Sequence, residues 1–144
     1  MNWLIAHRLT VRFSDCDLLG HVNNARYLTY LEEARIALWA AQIGLRDPSV
    51  AKAGPRGESF ILARTEIDFV AQAKFPDELV VRVALGSFGR TSVRYQHEII
   101  RAVDQCVVAR AETVQVWFDY DLNAPVPIGD ELKAKLALGV SPSS

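Results

Sequence analysis

Only two of the 144 residues are cysteine, Cys16 and Cys106, and neither stands in a CxxC pair or a zinc-like cluster. That usage argues against a disulfide framework or a structural metal site and for a reducing, cytoplasmic setting. No apolar run approaches the roughly 20 residues of a membrane span. The opening MNWLIAHRLTVRF lacks the long apolar core of a signal peptide and runs into a strand-like pattern. Neither sign of charge is in excess, with 16 Lys and Arg against 17 Asp and Glu. Nothing in that balance points to nucleic acid, and no block of like charge suggests a solvated tail. Repeats are absent, and so is any composition shift that would mark a second domain.

What is present is an ordinary globular composition, 50% hydrophobic and 23% charged, sufficient for one domain over residues 1–144. Residues 5 to 13 read as a first strand. Ser14-Asp15-Cys16-Asp17 reads as a polar turn, and Val22-Asn23-Asn24 as a helix start, since Asn is a strong N-cap. From Ala25 to Gly44 runs the strongest helical signal, with Leu28, Leu31, Arg35, Leu38 and Trp39 at helical spacing and alanines between them. Such a helix, rich in small and apolar residues, is expected to be largely buried, with Gly44 as its C-cap and Pro48 as a stop. Residues 46 to 58 read as a loop.

Four strand candidates follow: Ser59 to Ala73, Glu78 to Ser87, Thr91 to Arg101, and Val107 to Tyr120. In the third, Val93, Tyr95, His97 and Ile99 share one face and Ser92, Arg94, Gln96 and Glu98 the other, the alternation of an antiparallel sheet covered on one side. Pro76-Asp77 and Ala102 to Gln105 are expected hairpin connections, and residues 129 to 138 a short terminal helix. An α+β fold follows, in which an antiparallel sheet of about five strands wraps around one long central helix.

Phe13-Ser14-Asp15-Cys16-Asp17-Leu18-Leu19-Gly20-His21-Val22-Asn23-Asn24-Ala25-Arg26-Tyr27-Leu28, with the Glu-Glu-Ala-Arg that follows, resembles the signature of the 4-hydroxybenzoyl-CoA thioesterase family of the hotdog-fold superfamily. The GHVNN form is similar to its acyl-CoA thioesterase branch. The resemblance implies hydrolysis of acyl-CoA thioesters with no cofactor and no metal. Asp17 would be the working carboxylate, attacking directly or activating water. Thioester hydrolysis also needs donors beside the carbonyl oxygen, and a helix N-terminus has free N–H groups. The region of Asn24, Ala25 and Tyr27 is therefore the expected oxyanion and pocket element. Ser59, at a strand start, is a candidate for positioning the attacking water, with strand-edge hydrogen bonding as its alternative.

The same resemblance places coenzyme A phosphates near Arg90 and Thr91, with Arg56 a second basic candidate. It also implies a homodimer or homotetramer whose active sites lie between subunits. Turn formation is enough to explain Asp15. His21 reads as a residue orienting the turn, or as the base of a hydratase. Asn23 reads as a cap, Tyr27 and Tyr30 as core or pocket wall, Glu32 and Glu33 as solvated helix acids, and Cys16 as inert packing. The alternative to an enzyme is a non-catalytic module that binds acyl thioesters.

Overall fold

The computed structural model describes residues 1–45 and 57–141. Pro48 and Arg56 lie outside the described residues. Strand β1 (Trp3–Thr10) is followed by a single 3-10 turn (Phe13–Asp15) and helix α1 (Asn24–Ile43). Then come β2 (Glu58–Phe69), β3 (Glu78–Phe88), β4 (Ser92–Arg101), β5 (Cys106–Asp119), the two-residue β6 (Ala124–Pro125) and α2 (Asp130–Leu136). Five long strands form one antiparallel sheet in the order β1-β3-β4-β5-β2, and β6 adds to β5. With α1 against its apolar face, this is the hotdog fold.

The caps of α1 behave as their residue types dictate. The Asn23 side chain accepts from Ala25 N–H at 2.9 Å, and Gly44 closes the helix at φ 76°, a left-handed conformation that favours glycine. Burial, however, is one-sided. Tyr27, Tyr30, Leu31, Ala34, Arg35, Leu38 and Trp39 face the sheet, whereas Leu28 is 44% exposed and Glu32 and Glu33 face outward. The expectation of a largely buried helix therefore holds for one face only, because a single sheet can cover only one side of a helix.

The inward face of the sheet supplies Val81, Val83, Val93, Tyr95, Ile99 and Ala109, all essentially inaccessible. Each fully buried aliphatic side chain of this kind is worth roughly 1.5–3 kcal/mol. The opposite face carries charge: Glu98 reaches Arg82 at 3.8 Å and Arg110 at 3.6 Å, and Glu112 accepts from Arg94 and Gln96.

Two connections differ in kind. Residues 102–105 form the expected hairpin, with Gln105 at φ 59° and Asp104 both accepting from Cys106 N–H and pairing with Arg101 at 2.7 Å. Pro76-Asp77 does not form one: β2 pairs with β5 and β3 with β1 and β4, so the chain crosses from the outer edge to the inside of the sheet. Val70 bonds back to Val108 O, Ala73 O receives Val22 N–H, and Val11 N–H reaches Asp77 O. These tertiary bonds end β2 at Phe69 and β1 at Thr10, earlier than the alternation of side chains suggests. The terminal helix α2 is tied to α1 by Gln42, whose amide donates to Leu136 O and Leu138 O.

Candidate active site

The segment between β1 and α1 is built around two aspartates with opposite fates. Asp15 is 1% exposed. Its carboxylate accepts from Arg12 N–H at 2.9 Å, from Tyr30 Oη–H at 2.8 Å and from the Arg12 guanidinium at 3.2 Å, while its carbonyl receives Asn23 N–H. Burial opposes ionisation, but the Arg12 backbone, the Tyr30 hydroxyl and the Arg12 charge outweigh it and hold the carboxyl below its ordinary value. The same burial and contact push the Tyr30 phenol up. Asp15 thus fastens the turn to α1.

A carboxyl whose pKa is depressed by folding adds stability above its ordinary pKa of about 4, and that contribution fades as pH falls through the folded value. Asp15→Asn should therefore cost about 2–3 kcal/mol at neutral pH. It should also flatten the acid limb of stability in urea unfolding followed from about pH 7 to pH 3. An unchanged acid limb would show that this carboxylate does not carry the turn.

Asp17 is placed differently. Its N–H donates to His21 O, its carbonyl accepts from Gly20 N–H, and its Oδ1 accepts from Leu19 N–H at 2.9 Å. Gly20 turns at φ 85°, and Cys16 and Val22 bridge below the turn. Among the described residues, Oδ2 of Asp17 has no partner. It belongs to a half-buried side chain lining an open cavity of about 730 Å³, with Phe13, Cys16, Leu18, Gly20, Lys74 and Phe75. Phe13 and Phe75 meet edge to face at 5.9 Å, and Leu18 and Leu19 stand exposed beside them. One accepting oxygen is left in an apolar rim.

The start of α1 can be accounted donor by donor. Asn23 N–H goes to Asp15 O, Ala25 N–H to the Asn23 side chain, and Arg26 N–H to Asn23 O. Among the described residues, Asn24 N–H is the donor of this first turn left unpaired. Asn24, Tyr27, His21 and Phe69 line a second depression of about 310 Å³. The Cys16–Val22 pairing brings Asp17 and Asn24 to the same end of the sheet, although they line separate depressions. Tyr27 is buried against Tyr30 and Phe69. His21 serves the turn through its carbonyl.

The remaining sequence candidates lie elsewhere. Arg90 is exposed in the turn after β3, its carbonyl held by Ile128 N–H, and Thr91 O receives Trp117 N–H. The cavity of Asp17 touches Lys74 and Phe75, just before β3 begins. At about 3.3 Å per residue, the length of β3 separates Arg90 from Asp17 by roughly 30 Å. Ser59, buried near the start of β2, is distant for the same reason. It pairs with Phe118, while Phe60 pairs with Trp117 and stacks on Trp39. Glu33 meets His7 at 3.4 Å, and Cys16 is half-buried and free.

A polar cluster that the sequence reading left unremarked lies beneath α1. Arg35 is 4% exposed, and its Nε has no hydrogen-bond partner among the described residues. His97, Thr113 and Gln115 are buried on the facing sheet, with His97 Nε2 at 2.9 Å from Thr113 Oγ1 and Thr113 Oγ1 at 3.3 Å from Gln115 Oε1. Burial, reinforced by the Arg35 charge, pushes the His97 imidazole down to about 3, so it is neutral. The available signal was a charge and a histidine standing at apolar-face positions of their elements. Among the described residues, no group of three or more His, Cys, Asp or Glu is placed to hold a metal ion.

Residues 11–136 match the family model described as the thioesterase-like superfamily. A chloroplastic acyl-acyl carrier protein thioesterase of Arabidopsis thaliana is 26% identical over 127 residues, 88% of this chain but only 64% of that protein's length. Among solved structures, a putative thioesterase from Pseudomonas aeruginosa superposes with a TM-score of 0.81 at 27% identity, over 94% of this chain and all of its own. A thioesterase from Thermus thermophilus, solved with coenzyme A and zinc, gives 0.73 at 30% identity over 90% of both chains.

Proposed function

Because the chain belongs to the thioesterase-like superfamily, whose members hydrolyse thioesters, we propose that it cleaves acyl-CoA thioesters to the free acid and coenzyme A with Asp17 as its working carboxylate. The observation that carries this reading is the unpartnered Asp17 Oδ2 in an apolar-rimmed cavity, at the same end of the sheet as the unpaired Asn24 N–H. A carboxylate oxygen in that setting can add to the thioester carbonyl carbon or take a proton from an attacking water. In either route the carbonyl oxygen gains negative charge, and a fixed backbone donor at a helix N-terminus stabilises it. The sulfur leaves with the electron pair of the C–S bond. In the water route it takes the proton that Asp17 removed. In the direct route water then hydrolyses the acyl–Asp17 anhydride, releasing the acid, restoring the carboxylate and supplying the thiol proton. Ala25 N–H is already taken by Asn23, so Asn24 is the donor assigned here, with Tyr27 as wall.

A homodimer completes the site. Among the described residues β2 is an unpaired edge of twelve residues, Leu62, Phe69 and the adjoining Val70 are exposed there, and Phe13, Leu18 and Leu19 leave further apolar surface around the Asp17 turn. Two-fold antiparallel pairing of β2 edges would set the partner's β2 start against the Phe69 end of the first. That brings the partner's Ser59 and Arg90 region toward Asp17. In this arrangement Arg90 and Thr91 receive coenzyme A phosphates and Ser59 stands near the attacking water. The cytoplasm, or another reducing compartment, suits a protein whose two cysteines are both free.

The test is thiol release from a panel of acyl-CoA and acyl carrier protein thioesters. Turnover of at least one supports the reading, and tight binding without turnover would replace the enzyme with a binding module. Sedimentation at micromolar concentration should show a dimer or a tetramer. A purely monomeric enzyme with full activity would eliminate the composite site.

A further inference from the structure

We propose that Tyr30 is a positioning residue of the reaction: through Asp15, its hydroxyl holds the Asp17 turn in fixed register over the start of α1. The inference rests on the hydrolase reading above and adds to it a residue that acts through others. The Asp17 side chain is fixed to its own turn, since Oδ1 accepts from Leu19 N–H at 2.9 Å and the backbone N–H donates to His21 O. Where that turn sits relative to α1 is decided by Asp15. Only Cys16 separates the two aspartates, and Asp15 O accepts from Asn23 N–H at 2.9 Å, next to the Asn24 donor. Asp15 therefore stands between the working carboxylate and the helix that carries the donor.

The bond at Asn23 by itself is a hinge, because a turn held at one point can still rock over the helix. The second attachment is Tyr30. Its Oη–H donates to Asp15 Oδ2 at 2.8 Å, and both residues are buried. The same Oδ2 accepts from Arg12 N–H at 2.9 Å, which fixes the carboxylate within the turn. Burial and the neighbouring carboxylate push the Tyr30 phenol up, so it keeps its proton and is the donor of the pair. Asn23 and Tyr30 lie roughly 10 Å apart along α1, at about 1.5 Å per residue. Two attachments so far apart fix the orientation of the turn as well as its place.

The ring that carries this hydroxyl is itself locked. Tyr30 meets Tyr27 edge to face at 5.8 Å, and Tyr27 meets Phe69, at the end of β2, at 5.5 Å. The hydroxyl is thus referenced to helix and sheet together, as a site needs when it tolerates displacements of about 0.5 Å. Phenylalanine would keep this packing and remove the hydroxyl alone. The Asp15 carboxylate, 1% exposed, would then turn toward its remaining donors, Arg12 N–H and the Arg12 guanidinium. The Asp17 turn would move with it. The Cys16–Val22 bridge and the bond from Val22 N–H to Ala73 O stay intact, so the fold survives a change that the chemistry feels.

The experiment measures kcat and KM of the intact protein and of Tyr30→Phe on the acyl-CoA hydrolysed fastest, well below both melting temperatures. kcat should fall about tenfold or more with KM within about twofold, since a displacement near 1 Å can cost about 10²-fold in rate. Trp39→Phe, a core change in the second half of α1, should keep kcat within about twofold. In the Asp17→Asn background, Tyr30→Phe should add little to the loss, because it acts through that carboxylate. Asp15→Asn provides the same test should Tyr30→Phe fail to fold. An unchanged kcat, a loss carried by KM, an equal loss in Trp39→Phe, or full additivity with Asp17→Asn overturns the positioning role and leaves the hydrolase reading standing. No hydrolysis of any thioester overturns both readings.

Discussion

Asp17→Asn lowers kcat/KM on every hydrolysed acyl-CoA by a hundredfold or more, while melting temperature and oligomeric state stay near those of the parent protein. The size of the loss follows from the chemistry. Asn has nearly the same shape and can still accept Leu19 N–H through its side-chain oxygen, so the turn survives. What disappears is the negative charge on the unpartnered oxygen, which in the proposed mechanism either bonds to carbon or takes a proton from water. Removing a positioned acid or base typically costs 10²–10⁴-fold. The pair of aspartates makes the experiment specific. Asp15→Asn should lose stability first and activity only in consequence, because its carboxylate is consumed by Arg12 and Tyr30. If Asp17→Asn hydrolyses as well as the parent, catalysis lies elsewhere, and the reading of this loop as an active site is wrong.

Trp39→Ala destabilises the fold by about 3–5 kcal/mol, the range for removing a large aromatic from a core. Trp39 is 7% exposed, stacks on Phe60 at 4.8 Å with ring planes 21° apart, and Phe60 in turn meets Trp117 at 4.7 Å. This column fastens the second half of α1 to β2 and β5. The substitution also strips the Tyr95 hydroxyl of the donor that reaches it at 3.0 Å, Trp39 Nε1–H. Burial pushes the Tyr95 phenol up to about 12, so it stays neutral and is left with a buried hydroxyl short of a partner. For a domain of this size the midpoint should fall by roughly 10 °C in a thermal melt. Trp39→Phe, which keeps an aromatic face but not the indole N–H, should recover more than half of the loss. A shift below about 2 °C for the alanine variant would mean that the column contributes little.

Local chemistry made much of the molecule legible. Asn23 and Gly44 bound α1 because an amide side chain can cap an N-terminus and glycine tolerates φ 76°. The alternation of Val93, Tyr95, His97 and Ile99 with Arg94, Gln96 and Glu98 marked the two faces of β4 correctly. The string from Phe13 to Leu28 by itself points to the family, and Asp15 reads as structural because turn stabilisation accounts for it. Strand ends were less legible. β1 stops at Thr10 and β2 at Phe69 because Val11, Val70 and Ala73 bond to distant parts of the chain. The hairpin expected at Pro76-Asp77 failed for a related reason: turn residues report that the chain bends, not which strand it next meets.

The sequence by itself determined the elements, their caps, their apolar faces and the identity of the Asp15–Asn24 loop, because each of these depends on residues within a few positions of one another. Only the tertiary structure decided that β2 lies at the sheet's edge beside β5 and that Asp15 is spent on Tyr30 while Asp17 keeps a free oxygen. It alone separated Asp17 from Ser59 and Arg90 by the length of the sheet, and brought Arg35 from α1 and Gln115 from β5 onto the lining of one cavity. Those facts are relations between side chains dozens of residues apart, set by strand order and register, and periodicity along a chain carries no record of them.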